Sequence, residues 1–255
     1  MQNSNRWRRG CPDVADAPRR VGVARALSKL GVCSRTQASA WIRAGRVQVD
    51  GRVVRDPEFP TIAGRHRITV DDGVIDARAP KVVHVMLNKP RGLVTTLNDE
   101  QDRDTVYRCF EGAELGFIAP VGRLDKASEG LLLFTNDPEW ASRITSPGSG
   151  PDKTYHVQVD CIPEADTLAL MAAGVACEGG TLSAKSVQLL RAGEKNAWLE
   201  VVLDEGRNRQ IRRLLAALDI GVLRLLRVAI GTLQLGELPK GQWRPLTAAE
   251  IDSLS

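Results

Sequence analysis

The sequence predicts an α+β protein, in which a small αβ unit is followed by a larger domain with a mainly antiparallel sheet. Three observations support this class. Residues 23–54 change from helical apolar spacing to strand-like alternation, residues 76–81 have linker composition, and short apolar runs with few helical patterns follow. The predicted organisation is a basic, disordered leader over 1–20, a small unit over 21–75, the linker, and a large domain over 82–255.

Composition favours a protein of the cytoplasm with a substantial core. The 255 residues are 43% hydrophobic. They contain no apolar run of about 18 residues that could cross a membrane. The N-terminus is polar and arginine-rich, so no secretory signal is expected. Five cysteines are dispersed without CxxC spacing, which is typical of reduced thiols and not of a disulfide framework or zinc site.

Positive charge is concentrated in the first part of the chain. Residues 1–70 contain 14 lysines and arginines against 5 acidic residues, whereas residues 71–255 contain 21 against 26. The N-terminal part is therefore the better candidate for contact with a polyanion. A solvated charged surface without such a partner is the alternative interpretation.

The small unit is predicted to contain two helices and a hairpin. Apolar residues of 23–30 have helical spacing, and Gly31 is a suitable C-terminal stop. Ser34 can cap a second helix, which is expected to end near Gly45. Alternation at 47–49, followed by the dipeptide Asp50-Gly51 and two valines, predicts a hairpin.

This unit resembles the S4 RNA-binding domain. The matching positions are Gly31, Ser34, Arg35, Ala38, Ile42, Gly45, Arg46, Val47, Val49 and Gly51. The resemblance implies RNA binding, with Arg25, Arg35 and Arg46 as contacts. The family usually opens its first helix with an arginine, where this chain has Gly22. Either that phosphate contact is absent, or the nearby Arg19 and Arg20 supply it.

The larger domain is expected to begin at about Val82. The loop Asn88-Lys89-Pro90-Arg91-Gly92 ends its first strand. A helix is predicted over 208–218, because apolar residues recur there at helical spacing between Gly206 and Gly221. The segments predicted as strands are 83–87, 131–135, 154–159 and 197–203.

The most informative segment is Gly122-Arg123-Leu124-Asp125, which precedes Gly130 and the apolar run Leu131–Phe134. A run that short and continuous predicts a buried strand, so Asp125 is expected in a loop that leads into the core. An ionised carboxylate there needs a partner, because burial of an unpaired charge costs several kcal/mol. A capping or salt-bridged carboxylate without catalytic work is the alternative.

Together with Ser128-Glu129-Gly130-Leu131-Leu132, this segment resembles the catalytic motif of the RsuA-type ribosomal RNA pseudouridine synthases. The resemblance covers roughly residues 21–250. It implies that Asp125 is a nucleophile that drives cleavage of the uracil–ribose bond, after which the base rejoins through carbon 5. Direct attack on the sugar and proton abstraction to a glycal both remain open. No cofactor or metal is implied, and the three histidines lack metal-ligand spacing.

Glu129 invites a two-carboxylate, glycosidase-like interpretation, because it lies four residues after Asp125. The adjacent Gly130 indicates a turn, however, and spacing alone does not fix the separation of two carboxyl groups. A structural or solvated role for Glu129 is therefore favoured over a catalytic one.

Lys153-Thr154-Tyr155 opens a predicted strand and resembles the Lys-x-Tyr motif of the same family. The resemblance implies that Tyr155 stacks on a flipped base. A flat aromatic suits a uracil that must turn over, since stacking holds the ring without fixing its edges. Lys153 is predicted to contact RNA phosphate or to pack near Asp125. A tyrosine at the edge of a core strand is the alternative.

Three arginines, Arg209, Arg212 and Arg213, have the spacing of one helix face in residues 205–213. Guanidinium groups on such a face can bind phosphates and carboxylates. The family resemblance implies that Arg212 pairs with Asp125 and keeps it ionised. Arg209 and Arg213 are predicted RNA contacts, as are Lys89 and Arg123. A solvated basic face is the alternative.

The predicted function is isomerisation of one uridine in ribosomal RNA to pseudouridine by a monomer without cofactor. Residues 140–147 resemble small-subunit enzymes, whereas 128–130 and 208–210 resemble large-subunit relatives, and large-subunit (23S) RNA is favoured over 16S RNA. One alternative is a catalytically silent RNA-binding or ribosome-assembly factor with an S4 domain. Another is a nucleoside hydrolase, which would release free uracil.

Overall fold

The structure is a computed structural model that describes residues 20–62, 64–75, 81–96, 101 and 103–254. The chain forms two compact units that divide between Pro80 and Lys81. The predicted leader and linker lie outside the described residues, apart from Arg20 and Lys81. None of the described helices is long and apolar enough to cross a membrane. The mixture of helices and mainly antiparallel sheets confirms the α+β class.

The described part of the first unit contains two helices and six short strands. In chain order they are β1 (Val21–Gly22), α1 (Val23–Lys29), α2 (Arg35–Arg43), β2 (Val47–Val49), β3 (Arg52–Val54), β4 (Pro60–Thr61), β5 (Ile68–Val70) and β6 (Gly73–Val74). Strands β3, β2, β5 and β6 form an antiparallel sheet in that order, and β1 pairs with β4. Buried residues such as Leu27, Ile42 and Val47 join the helices to this sheet.

Local sequence signals account for these elements. The Ser34 hydroxyl accepts a hydrogen bond from the backbone N–H of Gln37 at 3.1 Å, which caps α2 as predicted. Asp50 and Gly51 both have positive φ, 51° and 79°, as a two-residue type I′ turn between β2 and β3 requires. The two helices and the hairpin predicted for this unit are confirmed.

The strands described in the second unit are β7 (His84–Lys89), β8 (Ala119–Val121), β9 (Glu129–Thr135), β10 (Lys153–Val159), β11 (Val175–Cys177), β12 (Gly180–Leu182), β13 (Ser186–Ala192), β14 (Ala197–Leu203), β15 (Val222–Ile230), β16 (Leu233–Gln234) and β17 (Trp243–Pro245).

Nine of these described strands form one sheet. Its order is β13-β14-β10-β15-β9-β7-β17, and β16 and β8 are attached beside β15 and β9. The pairing of β9 with β15 is parallel, and the other pairings of this sheet are antiparallel. A separate hairpin joins β11 to β12.

Helices cover parts of this sheet. The α-helices are α3 (Pro138–Thr145), α4 (Ala165–Ala173), α5 (Gln210–Ala216) and α6 (Ala248–Asp252), and a 3₁₀ helix covers Val106–Phe110. The helix predicted over 208–218 corresponds to α5. The side chains of Ile211, Leu214 and Leu215 on α5 pack with the buried residues of β10, β14 and β15. This packing fixes the position of the arginines on the same helix.

Strand β9 runs through the centre of the core. All residues of Glu129–Thr135 are buried, and successive side chains enter different clusters. Leu131 and Leu133 pack on one side, whereas Leu132 and Phe134 pack on the other. A strand that is covered on both faces needs apolar residues at every position, which explains the continuous apolar run in the sequence.

Gly130 permits the parallel contact between β9 and β15. Its φ is 101°, and a Cβ atom there would lie 2.3 Å from the carbonyl oxygen of Arg227. A larger residue could not approach so closely, so glycine lets Gly130 pair with Arg227 and Glu129 with Leu226. The loop that precedes β9 is thereby held beside the middle of β15.

Candidate active site

Asp125 lies in the loop between β8 and β9, at a cavity of about 520 Å³ in the second unit. This volume lies within the usual range of about 300–1,000 Å³ for ligand pockets. The Asp125 side chain is one-third exposed (33%). The predicted site residues that line the cavity are Asp125, Arg123, Lys153, Tyr155 and Arg209. The sequence motifs around these residues therefore converge on one cavity.

Arg209 is the partner of the Asp125 carboxylate. Its Nη1 atom donates to Oδ2 of Asp125 at 3.3 Å, and the Arg209 side chain is half exposed. Arg209 precedes α5 and has φ of 49° and ψ of 32°, the left-handed conformation that non-glycine residues seldom adopt. Uncommon backbone conformations of this kind are concentrated at functional sites, where the surrounding structure holds them in place.

The expected pair between Arg212 and Asp125 is replaced by the pair with Arg209. Nη2 of Arg212 instead donates to the backbone carbonyl of Ala127 at 3.3 Å. Its buried Nε has no hydrogen-bond partner in the described part of the chain. Burial and the charge of Arg209 lower the pKa of Arg212, and the nearby Asp125 carboxylate opposes this change. Arg209 is the N-cap residue of α5, and its guanidinium occupies the position beside the carboxylate.

Tyr155 and Arg227 are cross-strand neighbours on β10 and β15, and both line the cavity. Tyr155 packs against two of the apolar clusters. Arg227 is 5% exposed, and its Nε donates to the carbonyl of Leu131 at 2.7 Å. Arg227 is not among the site residues predicted from the sequence. The available signal was an arginine at an inward position of an apolar strand.

Lys153 begins β10 two residues before Tyr155, and its side chain is half-buried at the cavity. Burial lowers the pKa of Lys153, and the positive charge of Arg227 lowers it further, while Asp152 and Asp204 oppose the shift. Two cations that repel one another beside a cavity favour the binding of an anion between them. A contact of Lys153 with RNA phosphate stays a prediction.

The prediction that Lys89 contacts RNA is wrong for this structure, because the Lys89 side chain is fully buried (0% exposed). Its ammonium donates to three backbone carbonyls, those of Pro90 at 3.1 Å, Asp125 at 3.2 Å and Ser128 at 2.8 Å. Burial lowers the pKa of Lys89 to about 8, although the charges of Asp125, Cys109 and Glu129 act in the opposite direction. Lys89 therefore supports the loop of Asp125 from inside the protein.

Glu129 has a structural environment, as favoured from the sequence. The side chain is 2% exposed, and Arg224 donates to both carboxylate oxygens at 3.1 and 3.2 Å. Lys240 donates a further hydrogen bond. Burial raises the pKa of Glu129, but the hydrogen bonds from the two cations outweigh that effect and leave the pKa below its ordinary value. The carboxylate thus joins β9, β15 and the segment before β17.

The remaining predicted contacts of the second unit differ in exposure. Arg123 is exposed. Arg213 is half-buried, and its guanidinium donates to the backbone carbonyls of Asn208, at 3.4 Å, and Glu178. The bond to Glu178 connects α5 to the turn of the β11–β12 hairpin. A role of Arg213 in RNA binding would require part of its guanidinium to leave those carbonyls.

The first unit presents its own group of cations. Arg25, Arg35 and Arg43 are exposed and line one surface groove together with Glu58. Arg43 was not predicted, although it lies eight residues after Arg35 on α2. Arg46 lies elsewhere on this unit, where its guanidinium pairs with Asp71 and stands 5.2 Å from the centre of the Trp41 ring.

The described residues contain no group of three or more histidine, cysteine or acidic side chains that could hold a metal ion. The ionisable side chains that line the cavity are two carboxylates, those of Asp125 and Glu205, one phenol and several cations. Such a set can act as a nucleophile, stack on a flat ring and bind phosphate.

Sequence models of two known families match the chain. The model described as RNA pseudouridylate synthase matches residues 83–217, and the S4 domain model matches residues 22–60. The first match includes the loop of Asp125, the start of β10 and α5. The second match covers both helices of the first unit and its first hairpin.

Individual proteins are similar over most of their length. An uncharacterized RNA pseudouridine synthase of Aquifex aeolicus is 35% identical over 92% of this chain and 93% of its own. The ribosomal large subunit pseudouridine synthase B of Bacillus subtilis is 34% identical over 89% of this chain and 93% of its own. A solved crystal structure of a pseudouridylate synthase superposes with a TM-score of 0.64 and 32% identity, over 92% of this chain and 100% of that chain.

Proposed function

Since the chain belongs to the RNA pseudouridylate synthase family, we propose that it isomerises one uridine of large-subunit ribosomal RNA to pseudouridine, with Asp125 as nucleophile. Membership in this family identifies the chain as an RNA pseudouridine synthase. The choice of RNA rests on relatives named for the large ribosomal subunit. One observation carries the role of Asp125: its carboxylate and the Tyr155 ring line the same cavity, where Arg209 pairs with the carboxylate at 3.3 Å.

The proposed reaction breaks the bond between N1 of uracil and C1′ of ribose and forms a bond between C5 and C1′. N1 gains a proton and C5 loses one, so the reaction balances without an oxidant or a phosphoryl donor. The carboxylate can attack C1′ and form a covalent intermediate. Alternatively, it can remove the proton from C2′, which produces a glycal. Both routes need a charged carboxylate beside the sugar, and the guanidinium of Arg209 stabilises that charge.

Tyr155 is proposed to hold the base during the reaction. The uracil must leave the RNA stack to reach the cavity, at a cost of a few kcal/mol. Stacking on an aromatic side chain stabilises the flipped base by about 1–3 kcal/mol and tolerates rotation of the base in its own plane. Support for this role comes from the position of Tyr155, which lines the cavity while its ring packs against two apolar clusters.

RNA affinity is proposed to come from exposed cations of both units. Arg123 and Arg209 lie at the cavity, while Arg25 and Arg35 line the groove of the first unit. Phosphate contacts release counterions, so the affinity should fall steeply with salt concentration. We further propose that the protein acts as a monomer in the cytoplasm, where ribosomal RNA is found.

The test uses the purified chain and transcripts of large- and small-subunit ribosomal RNA that contain uridine tritiated at C5. Isomerisation releases the C5 hydrogen to water, and carbodiimide mapping then locates the modified uridine. We expect tritium release from the large-subunit transcript and one carbodiimide-reactive position. Release from the small-subunit transcript alone would contradict the proposed substrate, and no release from either would contradict the activity.

The same experiment separates the other functions that the sequence leaves open. A catalytically silent RNA-binding factor would retain the transcript on a filter and release no tritium. A nucleoside hydrolase would liberate free uracil, which chromatography of the reaction detects, and would leave no pseudouridine in the RNA. The proposed function requires release of tritium without release of uracil.

A further inference from the structure

We propose that the segment Lys89–Thr95 and Arg212 form a cradle for the loop Leu124–Ser128, and that Thr95 and Lys89 are positioning residues for Asp125. Here "cradle" means the donors on this segment and on Arg212 that bind the backbone carbonyls of that loop. The inference rests on the proposed role of Asp125. It assigns a function to side chains that do not touch the carboxylate.

Five consecutive carbonyls of the loop each accept a hydrogen bond from the cradle. The pairs are Leu124 with the Thr95 hydroxyl at 2.7 Å, Asp125 with Lys89 Nζ at 3.2 Å, Lys126 with the Gly92 N–H at 2.8 Å, Ala127 with Arg212 Nη2 at 3.3 Å, and Ser128 with Lys89 Nζ at 2.8 Å. The loop lies outside regular secondary structure. These bonds therefore replace the ladder that a helix or strand would provide.

Each N–H group of the Lys89 ammonium has a carbonyl acceptor. An ammonium carries three donors, and the three carbonyls of Pro90, Asp125 and Ser128 accept them. The side chain is fully buried, and a buried charge is tolerated when its hydrogen bonds are complete. Hydrogen bonds to an ionised group are also stronger than those between neutral groups. Lys89 thus joins both ends of the Asp125–Ser128 turn to the strand β7.

Thr95 binds both backbone groups of the residue before Asp125. Its hydroxyl donates to the Leu124 carbonyl at 2.7 Å and accepts from the Leu124 N–H at 3.3 Å. These two bonds restrict the peptide groups on either side of Leu124. Because the peptide between Leu124 and Asp125 is restricted in this way, Thr95 helps to determine the direction of the Asp125 side chain.

The carboxylate depends on its backbone for orientation. In the described part of the chain, its one hydrogen bond comes from Arg209, whose side chain is half exposed. A long exposed side chain moves with its partner and cannot fix the partner in space. The backbone of the loop therefore has to fix the distance between the carboxylate and a bound ribose. Misplacement of a reacting group by about 1 Å can reduce a rate by about 100-fold.

The test compares two substitutions at one position. Thr95→Val removes the hydroxyl with little change of shape, and Thr95→Ser keeps the hydroxyl. The measurements are the single-turnover rate with saturating enzyme on the large-subunit transcript, the Kd for that RNA, and the thermal unfolding midpoint. We expect Thr95→Val to lose at least about tenfold in rate, with Kd changed by less than about twofold. Thr95→Ser should recover most of the rate.

Three results would overturn the positioning role. They are an unchanged rate in Thr95→Val, a loss that appears in Kd instead of the rate, and a loss that Thr95→Ser does not recover. If Thr95→Val does not fold, Thr95→Ala removes the same hydroxyl without a β-branched side chain and is compared in its place. The failure of the proposed function is distinct, because the wild-type chain would then produce no pseudouridine at all.

Discussion

The cations of the two units differ in exposure and therefore in the work available to them. Arg25, Arg35 and Arg43 of the first unit project from an exposed groove. Behind Asp125, by contrast, Lys89 is fully buried and donates to backbone carbonyls. Exposed cations can bind phosphate and set affinity, whereas buried ones organise the protein around the carboxylate. Residue type alone does not separate these roles.

This difference in exposure predicts how substitutions in the two units should affect RNA binding and rate. Loss of cations that line the groove of the first unit should weaken RNA binding and leave the rate of the bound complex unchanged. Loss of the Asp125 carboxylate, or of a buried group that supports its loop, should reduce that rate and leave RNA binding nearly unchanged. A variant of either kind that affects both quantities would break the distinction.

The largest effect is expected for Asp125→Asn. The amide keeps the shape of the side chain but is neither a nucleophile nor a base, so tritium release should fall by at least about 1,000-fold. RNA affinity by filter binding should change little, because the phosphate contacts remain. Asp104→Asn is the matched control, since Asp104 is an exposed carboxylate of the same unit that pairs with Arg108. Equal rates for both variants would contradict the assignment.

A smaller loss of rate is expected for Arg209→Asn. Asparagine tolerates the left-handed backbone conformation that Arg209 adopts, so the fold should persist while the guanidinium disappears. Without the guanidinium the negative charge of Asp125 is less well stabilised, and the single-turnover rate should fall by about 10- to 100-fold. The control Arg191→Asn removes an exposed guanidinium that stands over Trp198 and does not line the cavity. A rate loss in both variants alike would refute a specific role for Arg209.

The combined substitution of Arg25, Arg35 and Arg43 by alanine tests the first unit. We expect the Kd for the transcript to rise by about tenfold and the slope of log Kd against log salt to become shallower by about 0.7 per lost contact. The single-turnover rate at saturation should stay the same. Arg52→Ala is the control, because Arg52 is exposed on β3 and does not line the groove. A fall in the saturated rate would show that this unit also affects the chemistry.

The smallest effect is expected from pH. Burial lowers the pKa of Lys89 from 10.5 to about 8. Above that pH, the neutral amine has two N–H groups for three carbonyls. The single-turnover rate should therefore fall a few-fold as pH rises through about 8. Lys89→Met should lack this alkaline decline, and a decline of the same size in the variant would assign it to another group.

The free energy of unfolding should respond to the same titration in the opposite sense. Between pH 8 and 10.5, the unfolded chain retains a proton on Lys89 that the folded protein has released. Stability therefore rises with pH in this window relative to Lys89→Met. Urea unfolding of both proteins at several pH values measures the difference. A difference that falls with pH would contradict the lowered pKa of Lys89.

Local signals were sufficient to predict much of the fold. Ser34 as a cap, Asp50-Gly51 as a turn and Leu131–Phe134 as a buried strand each depend on neighbours in sequence, and each is confirmed. The loop position of Asp125 follows from the apolar run after it, and the convergence of its motif with Tyr155 follows from the resemblance to a known family. The predictions from local pattern needed no knowledge of distant contacts.

The partners around the loop were not predictable from local pattern. Lys89 and Thr95 reach Asp125 and Leu124 across 36 and 29 residues, and Arg209 reaches Asp125 across 84. Such contacts depend on how β7, β9 and α5 pack, which spacing within one segment does not specify. Lys89 lies in a motif that predicts a loop, and it was therefore predicted to contact RNA, although its ammonium is buried in the protein.

The most direct test of the catalytic role of Asp125 is a carbodiimide map of ribosomal RNA from cells in which the gene has been deleted. One culture of these cells receives the wild-type gene, a second receives the Asp125→Asn gene, and a third receives no gene. We predict that one pseudouridine of the large-subunit RNA is present with the wild-type gene and missing in the other two cultures, with both proteins expressed equally. Restoration of that pseudouridine by the Asp125→Asn protein would contradict the account.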